Sequence, residues 1–165
     1  MLKIKALVLV FLLLPSTILA AGAQHPLVKE SVQELSALLT DGYAKLGLPL
    51  MVVPTGPDKV VAVLFSLEGP GGGDGAWEYI AFFKTTGRLL PKRARVHEYR
   101  LLAFKKIGAV GVRWFKMGTV SVQHGRVNVR GAAWAPQDAV ASPSIPLHSL
   151  FWLHKGQIVE QHVSS

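Results

Sequence analysis

Six histidines, at His25, His97, His124, His148, His154 and His162, are the side chains of this 165-residue chain best suited to metal binding or proton transfer. Zinc sites use closely spaced ligands, as in H-x-H or H-E-x-x-H, often with cysteine. Neither pattern occurs, and the chain has no cysteine. His148 and His154 share a face if both lie on one strand, but extended chain would separate them by about 20 Å. No metal is expected from this set. Calcium takes about six to eight oxygens, several from carboxylates at regular spacing. Glu68, Asp74 and Glu78 lie near one another in sequence without that spacing. A carboxylate pair for glycoside hydrolysis is compatible with the chain, but no spacing selects one.

Nucleophiles are similarly unmarked. No serine stands in G-x-S-x-G. Ser142 and Ser144 lie in a proline-rich stretch, where Asp138 is placed to cap a turn. A Ser-His-Asp triad assembles in space rather than in sequence, so a hydrolase stays open as an alternative. The loop Gly69-Pro70-Gly71-Gly72-Gly73-Asp74-Gly75 has the composition of a phosphate cradle. Such cradles need a following helix and a closing Lys-Ser or Lys-Thr. Here the next segment reads as a strand, so the loop reads as a flexible hairpin connection that can touch a partner. Trp77, Tyr79, Trp114, Phe115, Trp134 and Trp152 read chiefly as core or rim aromatics. No cofactor is called for.

The elements that carry these residues begin after a leader. Lys3 and Lys5 precede an unbroken apolar run from Ala6 to Leu14, which ends at Pro15. Ala21-Gly22-Ala23 has the small-x-small form of a signal peptidase site. Residues 1–23 are therefore expected to be a cleaved signal peptide, leaving a single exported domain at 24–165. The apolar run is well short of the roughly 20 residues that a bilayer span needs, so no transmembrane span is expected after processing. Without Lys3 and Lys5 the net charge falls from +8 to about +6. A basic exported domain is drawn to anionic polymers and lipid head groups. A nucleic-acid partner is not expected, because export would separate the two.

Residues 26–46 read as an amphipathic helix. Val28, Val32, Leu35 and Leu39 form one stripe, Pro26 suits a first turn, and Asp41-Gly42 or Gly47 ends it before Pro49. Beyond it the period becomes two. Val60 to Leu67 reads as a strand covered on both faces. From Ala76 to Lys84, Trp77, Tyr79, Ala81 and Phe83 share one face, and Glu78, Ile80, Phe82 and Lys84 share the other. Tyr99 to Phe104 and Val112 to Gln123 follow, the latter bent at Gly118. His124-Gly125 and Lys155-Gly156 are two-residue hairpin turns, with Val120, Val122, Val127 and Val129 facing inward. The basic segment Arg88 to Arg95, carrying Arg88, Lys92, Arg93 and Arg95, reads as a connection. Ala135 to Pro146 reads as a stiff crossover. The expected fold class is α+β: one N-terminal helix packed on a curved antiparallel meander of roughly six to eight strands.

Several pieces of residues 60–160 resemble a loosely defined group of exported bacterial proteins and lipoproteins of uncharacterised function. They are the apolar strand from Val60, the glycine turn, Tyr79-Ile80-Ala81-Phe82-Phe83, Asp138-Ala139-Val140-Ala141-Ser142-Pro143-Ser144, and Lys155-Gly156-Gln157-Ile158-Val159-Glu160. Members often carry two cysteines where this chain has Ala141 and Ser142, so a disulfide role is absent here. The acidic calcium-type repeats of some members are also missing. The resemblance implies an envelope location and a small β-rich domain, and no activity.

Charge, export and the lack of a catalytic motif together favour a non-enzymatic binding module for an envelope protein or an anionic envelope component. Its expected contacts are loops held by the sheet: Gly71, Gly72, Gly73 and Asp74; Arg88, Lys92, Arg93 and Arg95; Asp138, Ser142 and Ser144. A hydrolase assembled only in the fold and a self-associating structural protein are the alternatives.

Overall fold

The helical stripe and the strand alternation meet in one buried cluster. In the computed structural model, which describes residues 26–40, 46–55, 60–68, 76–89, 95–139 and 142–163, helix α1 spans Pro26–Thr40. Its Val28, Val32 and Leu35 are buried with Val63, Phe65, Leu67, Tyr79, Ala81 and Phe83. The helix ends beside Asp41-Gly42 rather than reaching residue 46. Leu46–Pro54 is a strand, β1, additional to those expected from the hydrophobic period. Its prolines masked it, yet proline is tolerated on an edge strand, where no ladder bond is lost.

Strand β2 (Val60–Glu68) pairs with β3 (Ala76–Leu89) in unbroken antiparallel register. Both faces of β2 are covered. Val63, Phe65 and Leu67 join the helix cluster, while Ala62 and Leu64 join a second one. Strand β4 (Arg95–Ala109) pairs with β3 and is much longer than Tyr99 to Phe104. Arg88 and Arg95 accordingly belong to strands, Arg88 pairing with Val96 and Arg95 with Leu89.

The expected strand from Val112 to Gln123 is three short pieces. These are β5 (Arg113–Phe115), a 3-10 turn (Met117–Thr119) around the anticipated bend at Gly118, and β6 (Ser121–Gln123). The turn His124-Gly125 leads into β7 (Arg126–Ala133). Both turn residues have positive φ, 50° and 74°, as a two-residue hairpin turn requires. Strands β8 (Ile145–His154) and β9 (Gln157–His162) close the chain around Lys155-Gly156, with φ of 49° and 78°.

The result is a nine-stranded antiparallel sheet of order β1-β2-β3-β4-β5-β7-β8-β9, with β6 paired to β7. One helix and an antiparallel sheet make the fold α+β, with more strands than expected because β1 was missed and one strand is broken. Segment 135–146 is no crossover. β7 and β8 are neighbours, Ala133 pairing with Ile145, so it is a long hairpin connection.

The second cluster gathers Ala62, Leu64, Ile80 and Phe82 with Phe115, Val127, Val129 and Phe151, although β4 and β5 stand between β3 and β7 in the sheet order. Val120 and Val122 are half-buried against it. Phe115 and Phe151 meet edge to face, with ring centroids 5.7 Å apart. Gly131 permits this arrangement, since a Cβ there would strike the Trp114 carbonyl oxygen.

Candidate functional site

Glu78 lies on the same face of β3 as Ile80 and Phe82, and is 4% exposed. Its Oε2 accepts a hydrogen bond from the Phe115 backbone N–H at 2.8 Å. β4 and β5 pair only at Ala109↔Arg113. Two residues further along, Phe115 would oppose Ile107, and its N–H would look for an acceptor on β4. Glu78 supplies that acceptor instead and ends the ladder. Gly108 makes the room, because a Cβ there would collide with the Glu78 carboxylate. Burial is the dominant effect on the Glu78 carboxyl and raises its pKa to about 7. The Phe115 N–H and the Arg113 charge work against burial and offset only part of it. Near neutrality this carboxyl exchanges its proton, which an ordinary surface glutamate does not do.

Three further strands bring charge to the same region. Arg113, two residues before the buried Phe115, donates from Nη1 to Glu160 Oε1 at 2.6 Å and from Nη2 to Glu160 Oε2 at 3.1 Å. Such a two-point pair fixes the planar guanidinium in orientation. Lys105 of β4 donates to Glu160 Oε2 at 3.0 Å. Glu160 pairs across the ladder with the buried Phe151, so its carboxylate is held inward. Burial on its own would raise the Glu160 pKa. The hydrogen bonds and charges of Arg113 and Lys105 outweigh burial and hold the carboxyl below its usual value. The cluster is therefore a chain of four groups, Lys105–Glu160–Arg113–Glu78. With Glu78 protonated it carries one net positive charge.

Ser149 and His162 sit beside it as ladder partners. Ser149 Oγ is 3.1 Å from His162 Nδ1 and 3.4 Å from Glu160 Oε1, while His162 Nε2 is 3.9 Å from the same Glu160 oxygen. These are the residue types of a serine nucleophile with its base and acid. Ser149 is completely buried, however, and a nucleophile must reach its substrate. The trio serves to satisfy a buried hydroxyl.

Over Glu78 and Arg113 lies a cavity of about 320 Å³, whose lining also includes Ser66, Ala76, Trp114 and Met117. Its wall is mostly apolar, with Glu78 and Arg113 as its charged groups, the usual make-up of a small-ligand site. Trp114 is 46% exposed at the rim. Ala76 adjoins the glycine loop.

Of the contact residues expected from sequence, Gly71, Gly72, Gly73, Asp74, Lys92 and Arg93 lie outside the described residues. Arg88 and Arg95 stand at the far end of the β3–β4 ladder from Glu78, opposite Val96 and Leu89 respectively. Asp138 organises its own loop: Oδ2 accepts from the Ala135 N–H at 2.7 Å and from the Ser144 N–H at 2.8 Å. These bonds, led by that from Ala135, lower its pKa despite some desolvation. Trp134 Nε1 donates to the Ala139 carbonyl across the same loop. Ser142 N–H bonds back to the Ala139 carbonyl at 2.9 Å. Asp138, Ser142 and Ser144 do not line the cavity. The sequence marks Glu78 as one of three nearby acids and as a member of the strand face of Ile80, Phe82 and Lys84. Its signal was an acid among Ile80 and Phe82 on an inward face. Arg113, Glu160 and Lys105 were not singled out. Lys105 offered no such cue, whereas Glu160 follows Ile158 at strand period.

Among the described residues, no group of three or more metal-ligating side chains is placed to hold an ion. No helix among them is long and apolar enough to cross a membrane. No family model, curated protein or solved structure matches the chain.

Proposed function

We propose that the chain is an exported, non-enzymatic binding module that takes a small anionic group, or the anionic end of an envelope component, into the cavity over Glu78 and Arg113. The observation that carries this reading is the pairing of an apolar cavity with a cluster left one charge positive while Glu78 holds its proton. A carboxylate or phosphate entering there would accept a hydrogen bond from the neutral Glu78 acid and gain the field of Arg113. The apolar lining would take a short hydrocarbon body. Export rests on the leader at 1–23, and the basic charge suits an anionic surrounding. The reading takes the sheet as curved about its second cluster, with the helix packed on the outer face. Residues of β2 and β3 sharing a core with β7 and β8 support that curvature.

Calorimetric titration of the purified protein with hexanoate, hexylphosphate and hexylamine tests the proposal. The two anions should bind at pH 6 and weaken at pH 8.5, where Glu78 has ionised and cancels the positive charge. Hexylamine should not bind at pH 6. An amine preference, or no binding by either anion at pH 6, would overturn it.

A second reading is a small exported hydrolase. It is favoured by two carboxyls on either side of Arg113 whose pKa values move in opposite directions, a pattern typical of acid–base pairs. Glu160 is already engaged by Arg113 and Lys105, which favours the binding reading. Ester or glycoside turnover lost in Glu78→Gln would reverse that order.

A further inference from the structure

Among the described residues, several exposed large hydrophobic side chains stand together at one end of the sheet. Val112, Ile145, Trp114 and Val110 are 63%, 47%, 46% and 37% exposed. Val110 and Val112 flank Gly111 in the turn between β4 and β5, and Ala133 of β7 pairs with both Arg113 and Ile145. Trp114 stands opposite Ala132, and Ala132 opposite the exposed Pro146. Gly111 has a φ of 78°, and a Cβ on it would meet nothing within 4 Å, so the turn projects clear of the described fold. We propose that this end of the protein docks on a lipid bilayer with anionic head groups, the turn at 110–112 and the Trp114 ring entering the interface.

Backbone that enters an apolar layer needs its hydrogen bonds made beforehand, and three groups of this turn have them. The Val110 N–H donates to the Ala76 carbonyl at 3.4 Å and the Val112 N–H to the Ala109 carbonyl at 3.1 Å, while the Val112 carbonyl accepts from the Trp134 N–H at 3.1 Å. Tryptophan favours the boundary between bilayer and water, and the valines supply apolar area to bury there. Lys116 follows Trp114 by two residues on the same outward face. Its N–H donates to the Arg130 carbonyl at 2.8 Å, so these two exposed cations stand on adjacent stretches of chain. Neither forms an ion pair among the described residues. Outside the Glu78–Glu160 cluster, the described acids at this end are Glu68, opposite Ala76, and Asp138, whose Oδ2 takes the Ala135 and Ser144 amides. Free cations beside an apolar turn are placed for phosphate head groups. A second copy is a poorer occupant. A stable dimer buries about 800 Å² on each partner, whereas the apolar side chains here are few and sit on a projecting turn. A two-fold pairing of this end would also bring Lys116 and Arg130 of both copies together. Val110 and Trp114 also line the cavity, but the docking surface does not rest on a ligand bound there.

The test is flotation of the processed protein, without residues 1–23, on vesicles of phosphatidylcholine alone and of phosphatidylcholine mixed with phosphatidylglycerol. Binding should be roughly tenfold stronger to the mixed vesicles and should fall with added salt. Val112→Asp should weaken it by roughly tenfold on the mixed vesicles. Lys116→Gln/Arg130→Gln should weaken it by roughly tenfold on the mixed vesicles alone. All three positions are exposed, so neither variant disturbs the core. Trp114→Phe should keep most of the binding but lose part of the fluorescence quenching by brominated lipid, because that ring lies in the interface. Absent binding to the mixed vesicles, equal binding of Val112→Asp, or quenching unchanged in Trp114→Phe would overturn the proposal. So would a dimer in sedimentation that Val112→Asp dissociates, since a second copy would then hold the turn. Wild type that binds hexanoate at pH 6 but not the vesicles would refute this surface and leave the cavity reading standing.

Discussion

Replacing Glu78 by glutamine keeps the shape of the side chain and an acceptor for the Phe115 N–H, but removes the titration. In the fold the carboxyl pKa is raised from 4.5 to about 7. Below pH 4.5 the group is protonated in both folded and unfolded chains and costs nothing. As pH rises from 4.5 to 7 the unfolded chain loses the proton first. The unfolded state then binds fewer protons, so stability falls with rising pH. Above about 7 both states are ionised and the loss is complete. The shift corresponds to about 3 kcal/mol. Glu160 titrates in the opposite sense. Its lowered pKa gives stability that is present above its unfolded value and lost as pH falls through the folded one, outside this window. Thermal unfolding of wild type and Glu78→Gln at pH 4, 6 and 8 isolates the effect. Whatever offset the two have at pH 4, the variant should gain roughly 6–12 °C on the wild type by pH 8. Parallel melting curves across that range would mean that Glu78 is ionised and solvated in the fold, and the charge argument for an anion site would fail with it.

Gly108→Ala pushes a methyl group into the Glu78 carboxylate and to 3.0 Å from the Arg113 carbonyl oxygen. A loss of about 1–3 kcal/mol is expected in urea unfolding, with faster exchange of the Phe115 amide. Arg113→Met leaves Glu160 half-buried with Lys105 alone and should cost about 2–4 kcal/mol. Chemical denaturation of Arg113→Met/Glu160→Gln should recover part of that loss. Phe115→Ala empties the junction of the second cluster and should cost about 3–5 kcal/mol by the same measurement. Asp138→Ala frees the Ala135 and Ser144 amides, so exchange at both should accelerate and limited proteolysis should move to 134–144, with anion binding at the cavity unchanged.

What could be read from the sequence was whatever a short period carries. The helix stripe, the two faces of β2 and β3, and both tight turns follow from spacing alone, and they recur in the buried clusters. Strand β1 was hidden because Pro49 and Pro54 imitate loop chemistry, and only its edge position reconciles them with a ladder. The 135–146 segment looked like a crossover because its prolines signal stiffness but not destination. The Ala133↔Ile145 pairing, a contact between distant residues, makes it a hairpin. Lys105, Arg113 and Glu160 were invisible as a group for the same reason. Lys105 and Arg113 come from the neighbouring β4 and β5, but Glu160 stands on β9, 47 residues beyond Arg113, and no local pattern relates residues so far apart.

One local fact accounts for the buried carboxyl and for the place of Arg113 beside it. Had Ile107 supplied the acceptor for the Phe115 N–H, the β4–β5 ladder would have run two residues further, and the Glu78 carboxyl would have lacked its partner. The Glu78 carboxylate takes that N–H, and Gly108 and Gly131 provide the clearance. The ladder stops after Ala109↔Arg113. Arg113 is thereby left at the break, where it can reach across to Glu160. A carboxyl that acts as a ladder terminator need not titrate near neutrality, since a glutamine would accept the same bond. The acid instead costs stability as pH rises, by about 3 kcal/mol once it has ionised above about pH 7. A glutamine would accept the Phe115 bond without that cost, so what the acid adds over a glutamine is a proton it can donate below its pKa, the property on which the proposed anion site relies.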